Sequence, residues 1–186
     1  MFFKLILRNG KNRIYFPQRD NKIILFSKFP GASRKTFDLF KFYDWRVLQF
    51  AAENGIKDIE VKGNLYLRGT QIKELPEGLH VGGWLDIGWT QIREIPKGLS
   101  VRSLDLEYTQ IEKLPEGFHV RGNLYLRESR IKELPEGLHV GGSLDLQGSL
   151  IRELPEGLHV GGWLNLEETP IEKLPKNLYV GGRIYR

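Results

Sequence analysis

Residues 65–84 read LYLRGTQIKELPEGLHVGGW, and this twenty-residue pattern returns from Leu85, Leu104, Leu124, Leu144 and Leu164, with one more start at Ile184. A fixed period near 20 marks a solenoid, in which each coil is too small to bury its own apolar face and leans on its neighbours. Leu65, Leu67, Ile72, Leu75, Leu79 and Val81 mark the apolar positions, which stay apolar in every later copy. Leu-x-Leu is period-2 alternation, so it predicts a short strand with its leucines inward and Asn64, Tyr66 and Arg68 outward. Proline follows the inward residue at Pro76, Pro96, Pro115, Pro135, Pro155 and Pro175, where it removes an amide donor and fixes φ, so each coil should turn there. Gly78 and the Gly82-Gly83 pair supply positive φ and close backbone approach before the next strand.

The pattern LxLxxTxIxxLPxGL, carried by residues 61–186, is similar to the short, LP-containing leucine-rich repeats of bacterial and phage proteins, secreted effectors among them. The resemblance implies a solenoid with a parallel strand face, which in leucine-rich repeats usually forms the concave partner surface. The family places Asn where this chain has Thr70, Thr90, Thr109, Ser129, Ser149 and Thr169. A hydroxyl there can still bond the backbone of a neighbouring coil. A parallel β-helix is the alternative fold. The spacing from Val101 to Val120 is 19 residues instead of 20, so a local kink is expected beside Leu99–Leu104.

The 186 residues divide by charge into 1–54 and 55–186. The first segment holds 11 Lys+Arg against 4 Asp+Glu, and the second 17 against 19, giving +7 and −2. The chain has no cysteine, which excludes a disulfide framework, a zinc ribbon and a cysteine nucleophile, and fits a reducing compartment. Lys4 interrupts the apolar start and no small-residue cleavage site follows, so no signal peptide is expected. No run approaches the ~18 apolar residues of a membrane span. A cytoplasmic location is expected, in the producing cell or in a target cell.

Residues 1–54 read as a small basic α+β cap on the solenoid. Residues 2–8 and 11–16 alternate around Asn9-Gly10, a hairpin signal, and Lys22–Ser27 reads as a third strand of a meander. Thr36–Tyr43 suggests a helical turn, and Asp44 an N-cap for a helix over Trp45–Glu53 that Asn54-Gly55 stops. Twelve of the 21 aromatic residues lie in this segment, interleaved with Lys4, Arg8, Lys11 and Arg13 among other basic residues. That mixture can bind nucleic acid by phosphate neutralisation and base stacking. It equally describes an aromatic core with solvated charges around it.

Stacked coils turn each repeat position into a column with rungs about 4.8 Å apart. The central outward column reads Tyr66, Asp86, Asp105, Tyr125, Asp145, Asn165, Tyr185. One flank carries Trp84 and Trp163, and the other Arg68, Glu107 and Arg127. Exposed aromatics beside arginine are the residues that anchor protein interfaces. The residues expected to meet a partner are therefore Tyr66, Arg68, Trp84, Asp86, Asp105, Tyr108, Tyr125, Arg127, Asp145, Trp163 and Asn165. The Lys73-Glu74 column alternates in sign and reads as a solvated surface. His80, His119, His139 and His159 share one outward position, where three imidazoles could meet a Zn²⁺ or Ni²⁺ ion. KELPEGLHVGG occurs at both 73–83 and 132–142, so internal duplication alone accounts for that column, and no metal or cofactor is expected.

No nucleophile-base pair is legible, and the Asp column lies on a repeated face where nothing separates one pKa from another, so no enzyme is expected. The reading is a stoichiometric inhibitor or adaptor that grips a protein partner with its strand face, for example one that blocks a defence complex. The alternative is a nucleic-acid-associated protein, or an inhibitor of a nucleic-acid-handling complex, acting through residues 1–54. A third reading is self-association through the coil that carries Tyr185 and Arg186.

Overall fold

The computed structural model describes residues 5–9, 12–15, 22–24, 36–38, 45–53, 55 and 57–186. In chain order these form β1 (Leu5–Asn9), β2 (Asn12–Tyr15), β3 (Lys22–Ile24), β4 (Thr36–Asp38), α1 (Trp45–Glu53), β5 (Ile59–Val61) and β6 (Leu65–Tyr66). Two longer strands follow, β7 (His80–Asp86) and β8 (Ser100–Asp105). Each remaining coil contributes two short ones: β9 (His119–Val120) with β10 (Leu124–Tyr125), β11 (His139–Val140) with β12 (Leu144–Asp145), β13 (His159–Val160) with β14 (Leu164–Asn165), and β15 (Tyr179–Val180) with β16 (Ile184–Tyr185). The fold is a β-solenoid of about six turns.

Its geometry follows from the repeat. The six apolar positions of each coil enter one continuous interior, from Ile59 to Ile171, in which most side chains are fully buried. Each such burial stabilises by about 1.5–3 kcal/mol, but only because a coil above and a coil below close the layer. The coils stack in register: Leu65 pairs with Leu85, Leu104 with Leu124, Leu124 with Leu144 and Leu164 with Ile184, all parallel. A second parallel sheet stacks His119, His139, His159 and Tyr179 in the same way.

Three corners shape each coil. At the first, the amide of Thr70 donates to the Leu67 carbonyl, and Gly69 between them takes a φ of 68°. At the second, the amide of Leu79 donates to the Pro76 carbonyl and Gly78 takes a φ of 68°. The third is the Gly-Gly pair. The hydroxyls expected to reach a neighbouring coil stay within their own: Thr90 Oγ1 donates to the Ile87 carbonyl at 2.7 Å, and Thr70, Thr109, Ser129 and Thr169 repeat the bond three residues back. A hydroxyl is one bond shorter than an amide group, and the nearest carbonyl within its reach is the one that closes its own turn.

The coil with one residue fewer shows its irregularity at the expected place. Its missing residue falls at the Gly-Gly corner, so Arg102 alone stands opposite Gly82-Gly83 and the register shifts between Val81 and Trp84. Both strands continue through the corner, which makes β7 and β8 the longest of the solenoid. The irregularity is absorbed as a β-bulge.

At the other end, β1 pairs antiparallel with β5 and β2 with β1, extending the sheet beyond the coils. Asn9 pairs with Asn12, one step further into the hairpin than Asn9-Gly10 implies. Two expectations are corrected here. Thr36–Asp38 is a strand and not part of a helical turn, and it pairs with β3, which therefore forms a separate two-stranded sheet instead of a third meander strand. Residues 23 and 37 are both β-formers, Ile23 and Phe37, and their backbones are paired in register across that ladder. Leu48 and Ala51 of α1 join the solenoid core, and Gln49 Oε1 accepts the Lys73 amide at 2.8 Å. Asp44, Asn54, Lys4 and Lys11 lie outside the described residues. No helix among the described residues is long and apolar enough to cross a membrane.

Candidate functional site

The outward columns of the strand face are first of all structural. Asn64 Oδ1 accepts the Trp84 amide at 2.9 Å, Asn123 Oδ1 accepts the Ser143 amide at 2.9 Å, and Ser143 Oγ accepts the Trp163 amide at 3.2 Å. The flank is thus a ladder in which each coil's Asn or Ser holds the next coil's backbone. In the central column, Asp86, Asp105, Asp145 and Asn165 each accept an amide two residues on, from Gly88, Glu107, Gln147 and Glu167, at 3.0–3.1 Å. These are Asx bonds that steer the strand into its turn. The scaffold accounts for the Asp and Asn at these positions.

The aromatic residues are what the scaffold does not need. Tryptophan has no acceptor oxygen, so Trp84 and Trp163 interrupt the ladder, and Trp84 Nε1 is buried without a hydrogen-bond partner among the described residues. A buried unmatched donor is destabilising by about 1–3 kcal/mol. The rings collect around Tyr125: Trp84 stacks on it at 5.7 Å between centroids, Trp163 tilts against it at 6.5 Å, and Tyr185 meets Trp163 edge-on at 6.2 Å. Asn123 Nδ2 donates to the Tyr125 hydroxyl at 2.8 Å, as Asn64 Nδ2 does to Tyr66. Trp84, Tyr125 and Trp163 were expected to be exposed and are half-buried, because each ring covers the next. Tyr66 is exposed.

A second cluster lies beside this stripe. Arg68 reaches across two coils, donating from Nε to Asp86 at 3.0 Å and from Nη2 to Asp105 and to Glu107, the latter at 3.1 Å. Gly88 makes room for it, since a Cβ there would stand 2.9 Å from the guanidinium carbon. Asp105 is almost fully covered, and burial pushes its carboxyl up to about 6. Burial raises Asp145 as well. The Asp column is therefore not uniform, contrary to the expectation from its repetition. Both Asp105 oxygens are engaged, one by the Glu107 amide and one by Arg68.

At the adjoining corner Trp89 stacks on Tyr108 at 4.1 Å with 24° between planes. Both residues hold left-handed backbone, φ 57° and 54°, and Trp89 is 58% exposed. The equivalent residues of other coils include Gly69 and Gly148, which adopt that conformation without strain. Trp89 was not among the candidates read from sequence. A tryptophan at a position that two other coils fill with Gly69 and Gly148 was the available signal.

No family model, curated protein or solved structure matches the chain.

The remaining candidates separate. Arg127 is exposed next to Tyr108's coil, and Asp145 and Asn165 serve their own turns without joining either cluster. In the head, the backbones of Arg8 and Arg13 pair across the hairpin. The histidine column is a stack: His139 lies on His159 at 4.3 Å and His159 on Tyr179 at 4.4 Å. Face-to-face imidazoles do not converge their nitrogens on one point. No group of three metal-binding side chains is gathered among the described residues. On the alternating-charge column a groove of about 830 Å³ opens between Arg93 and Lys132, with Lys132 Nζ donating to Glu112 at 2.8 Å. The two charges of that pair are both exposed, which leaves it a weak surface contact.

The left-handed aromatic makes a testable statement about stability. Replacing Trp89 by glycine removes a left-handed strain of about 1–2 kcal/mol and a stacking contribution of about 0.5–1.5 kcal/mol. The two nearly cancel, so urea unfolding of Trp89→Gly should lie within about 1 kcal/mol of wild type. A loss above about 2 kcal/mol would mean that the ring is part of the fold and not an addition to it.

Proposed function

We propose that the chain is a non-catalytic protein-binding module of the short leucine-rich-repeat type, acting as a stoichiometric inhibitor or adaptor through its strand face. One observation carries the reading. Tryptophan stands at two rungs of a hydrogen-bonding ladder that Asn and Ser complete elsewhere, at the expense of a buried donor, and the rings assemble into one stripe around Tyr125. Half-covered, mutually packed aromatics lose little entropy on docking and bring large apolar area, which is what interface anchors require. Arg68, held flat by three carboxylates, gives the same face a fixed polar rim.

The test is a tagged pull-down from bacterial lysate with nuclease treatment and with low- and high-salt washes, followed by titration of the captured protein. One stoichiometric protein should survive both treatments with wild type. The double variant Trp84→Ala, Trp163→Ala should weaken it at least about a hundredfold, as expected when two anchors are truncated. The variant Glu94→Gln, on the alternating-charge column outside the strand face, should bind as wild type does. A partner that disappears with nuclease, or that the double variant retains, would sink this reading.

A further inference from the structure

Resting on that reading, we infer that the partner surface received by this face is basic, and that an arginine of the partner lays its guanidinium on the open ring face of Trp89 beside Glu107. Charge complementarity points to the occupant. Across the first five coils, the central, flanking and corner columns carry Asp86, Asp105, Asp145, Glu107 and Glu128 against only Arg68 and Arg127. A positive surface is attracted to such a face and an acidic one repelled, which sets both encounter and register.

Ring geometry names the group. Tyr108 covers one face of Trp89 at 4.1 Å. On the other side the stack reaches the rung of Gly69, which has no side chain, and among the described residues nothing stands within 4 Å of where its Cβ would be. Among the described residues the stack therefore ends in an open, flat, exposed indole with an empty place next to it. Indole is the strongest cation-π acceptor among side chains, and a guanidinium is the flat cation that stacks on it. Glu107 spends Oε2 on Arg68, while Oε1 accepts no hydrogen bond among the described residues. Glu107 stands on the neighbouring rung, where its carbonyl accepts the Trp89 amide at 3.0 Å, so its charge acts on a cation held at the indole.

The face already displays this chemistry within the chain. The Arg68 guanidinium lies flat over Gly88, fixed by Asp86, Asp105 and Glu107. Trp89 follows Gly88 directly, so an incoming arginine would occupy the place adjacent to one the protein fills itself.

The experiment uses the full chain and three fluorescein-labelled peptides, Gly-Arg, Gly-Lys and Gly-Glu repeats of equal length, read by fluorescence anisotropy at fixed ionic strength. The arginine peptide should bind, the lysine peptide several-fold more weakly, and the glutamate peptide not at all. Trp89→Gly should weaken arginine-peptide binding about tenfold, and Glu107→Gln several-fold, whereas Glu94→Gln should change nothing. Glu107→Gln decides the matter on its own if Trp89→Gly does not fold. Equal binding of the arginine and lysine peptides, or arginine-peptide binding unchanged by both face variants, overturns the inference. A protein captured through Trp84 and Trp163 while the arginine peptide fails would overturn it and leave the binding module intact. Trp89-dependent arginine binding with no captured protein would support the inference and count against that module.

Discussion

Gly161→Ala should destabilise the solenoid by about 4 kcal/mol, whereas Gly157→Ala, four residues earlier, should cost about 1–2 kcal/mol. The two glycines are needed for different reasons. Gly157 sits at a φ of 70°, and a Cβ there would meet only the Gly137 Cα at 3.7 Å, an ordinary contact. Its substitution raises only the left-handed strain. Gly161 has no such backbone, but a Cβ would run into the carbonyl oxygen of Gly141 in the preceding coil. That is backbone against backbone, so no rotamer relieves it. The coils must separate at this corner, which lengthens the bond from the Gly161 amide to Val140 and the one from the Gly162 amide to Gly142, now 2.9 and 2.7 Å. Equilibrium urea unfolding of the two variants measures the difference. Because a solenoid is stabilised rung by rung, Gly161→Ala should also broaden the transition as the last coil uncouples from the rest. Equal losses for the two variants would show that the coils do not depend on this close approach.

Asp105→Asn should be the converse, a change that stabilises, and only at neutral pH. The folded carboxyl, pushed up to about 6 by burial, lies above its unfolded value of about 3.9. Between those values the native state binds more protons than the unfolded state. Wild type therefore loses stability as pH rises from about 4 to 7, and regains it on acidification. Asparagine keeps the oxygen that accepts the Glu107 amide and has no proton to lose. Arg68 gives up one of three partners and keeps Asp86 and Glu107. Allowing for that loss, the variant should exceed wild type by about 2 kcal/mol at pH 7.5 and match it near pH 4, in thermal or urea unfolding at each pH. A gap independent of pH would mean that Asp105 does not titrate in this window. A carboxylate kept where an amide is more stable belongs with the aromatic rungs, as a feature that burdens the fold.

Much of the architecture was legible because apolar position, proline and glycine recur with one period, and a period is insensitive to any single residue. Leu65, Leu85 and Leu104 stack as their spacing implies. What escaped is what depends on reach or on contact between columns. The hydroxyl of Thr90 was given an inter-coil role, but its short arm finds the Ile87 carbonyl first. The Asp column looked uniform because sequence does not show that Arg68 crosses two coils and that Asp105, unlike Asp86, ends up covered. In the site, the outward placement of the tryptophans and Tyr125 was legible, whereas their mutual packing, and hence their partial burial, needed the rung spacing in three dimensions. Trp89 escaped because its repeat position varies from coil to coil and lies outside the outward columns of the strand, so only the structure shows that it is a corner where rings can stack.

The leucine-on-leucine register has one more consequence. Because every coil presents the same interior to its neighbours, distances along the strand face come in whole rungs, about 4.8 Å each. The molecule is in this respect a ruler with interchangeable graduations. Duplication or loss of one twenty-residue unit moves Trp163 relative to Trp84 by a single step while the core above and below closes unchanged. The spacing of features along the face can therefore be changed by counting coils, without redesigning a contact.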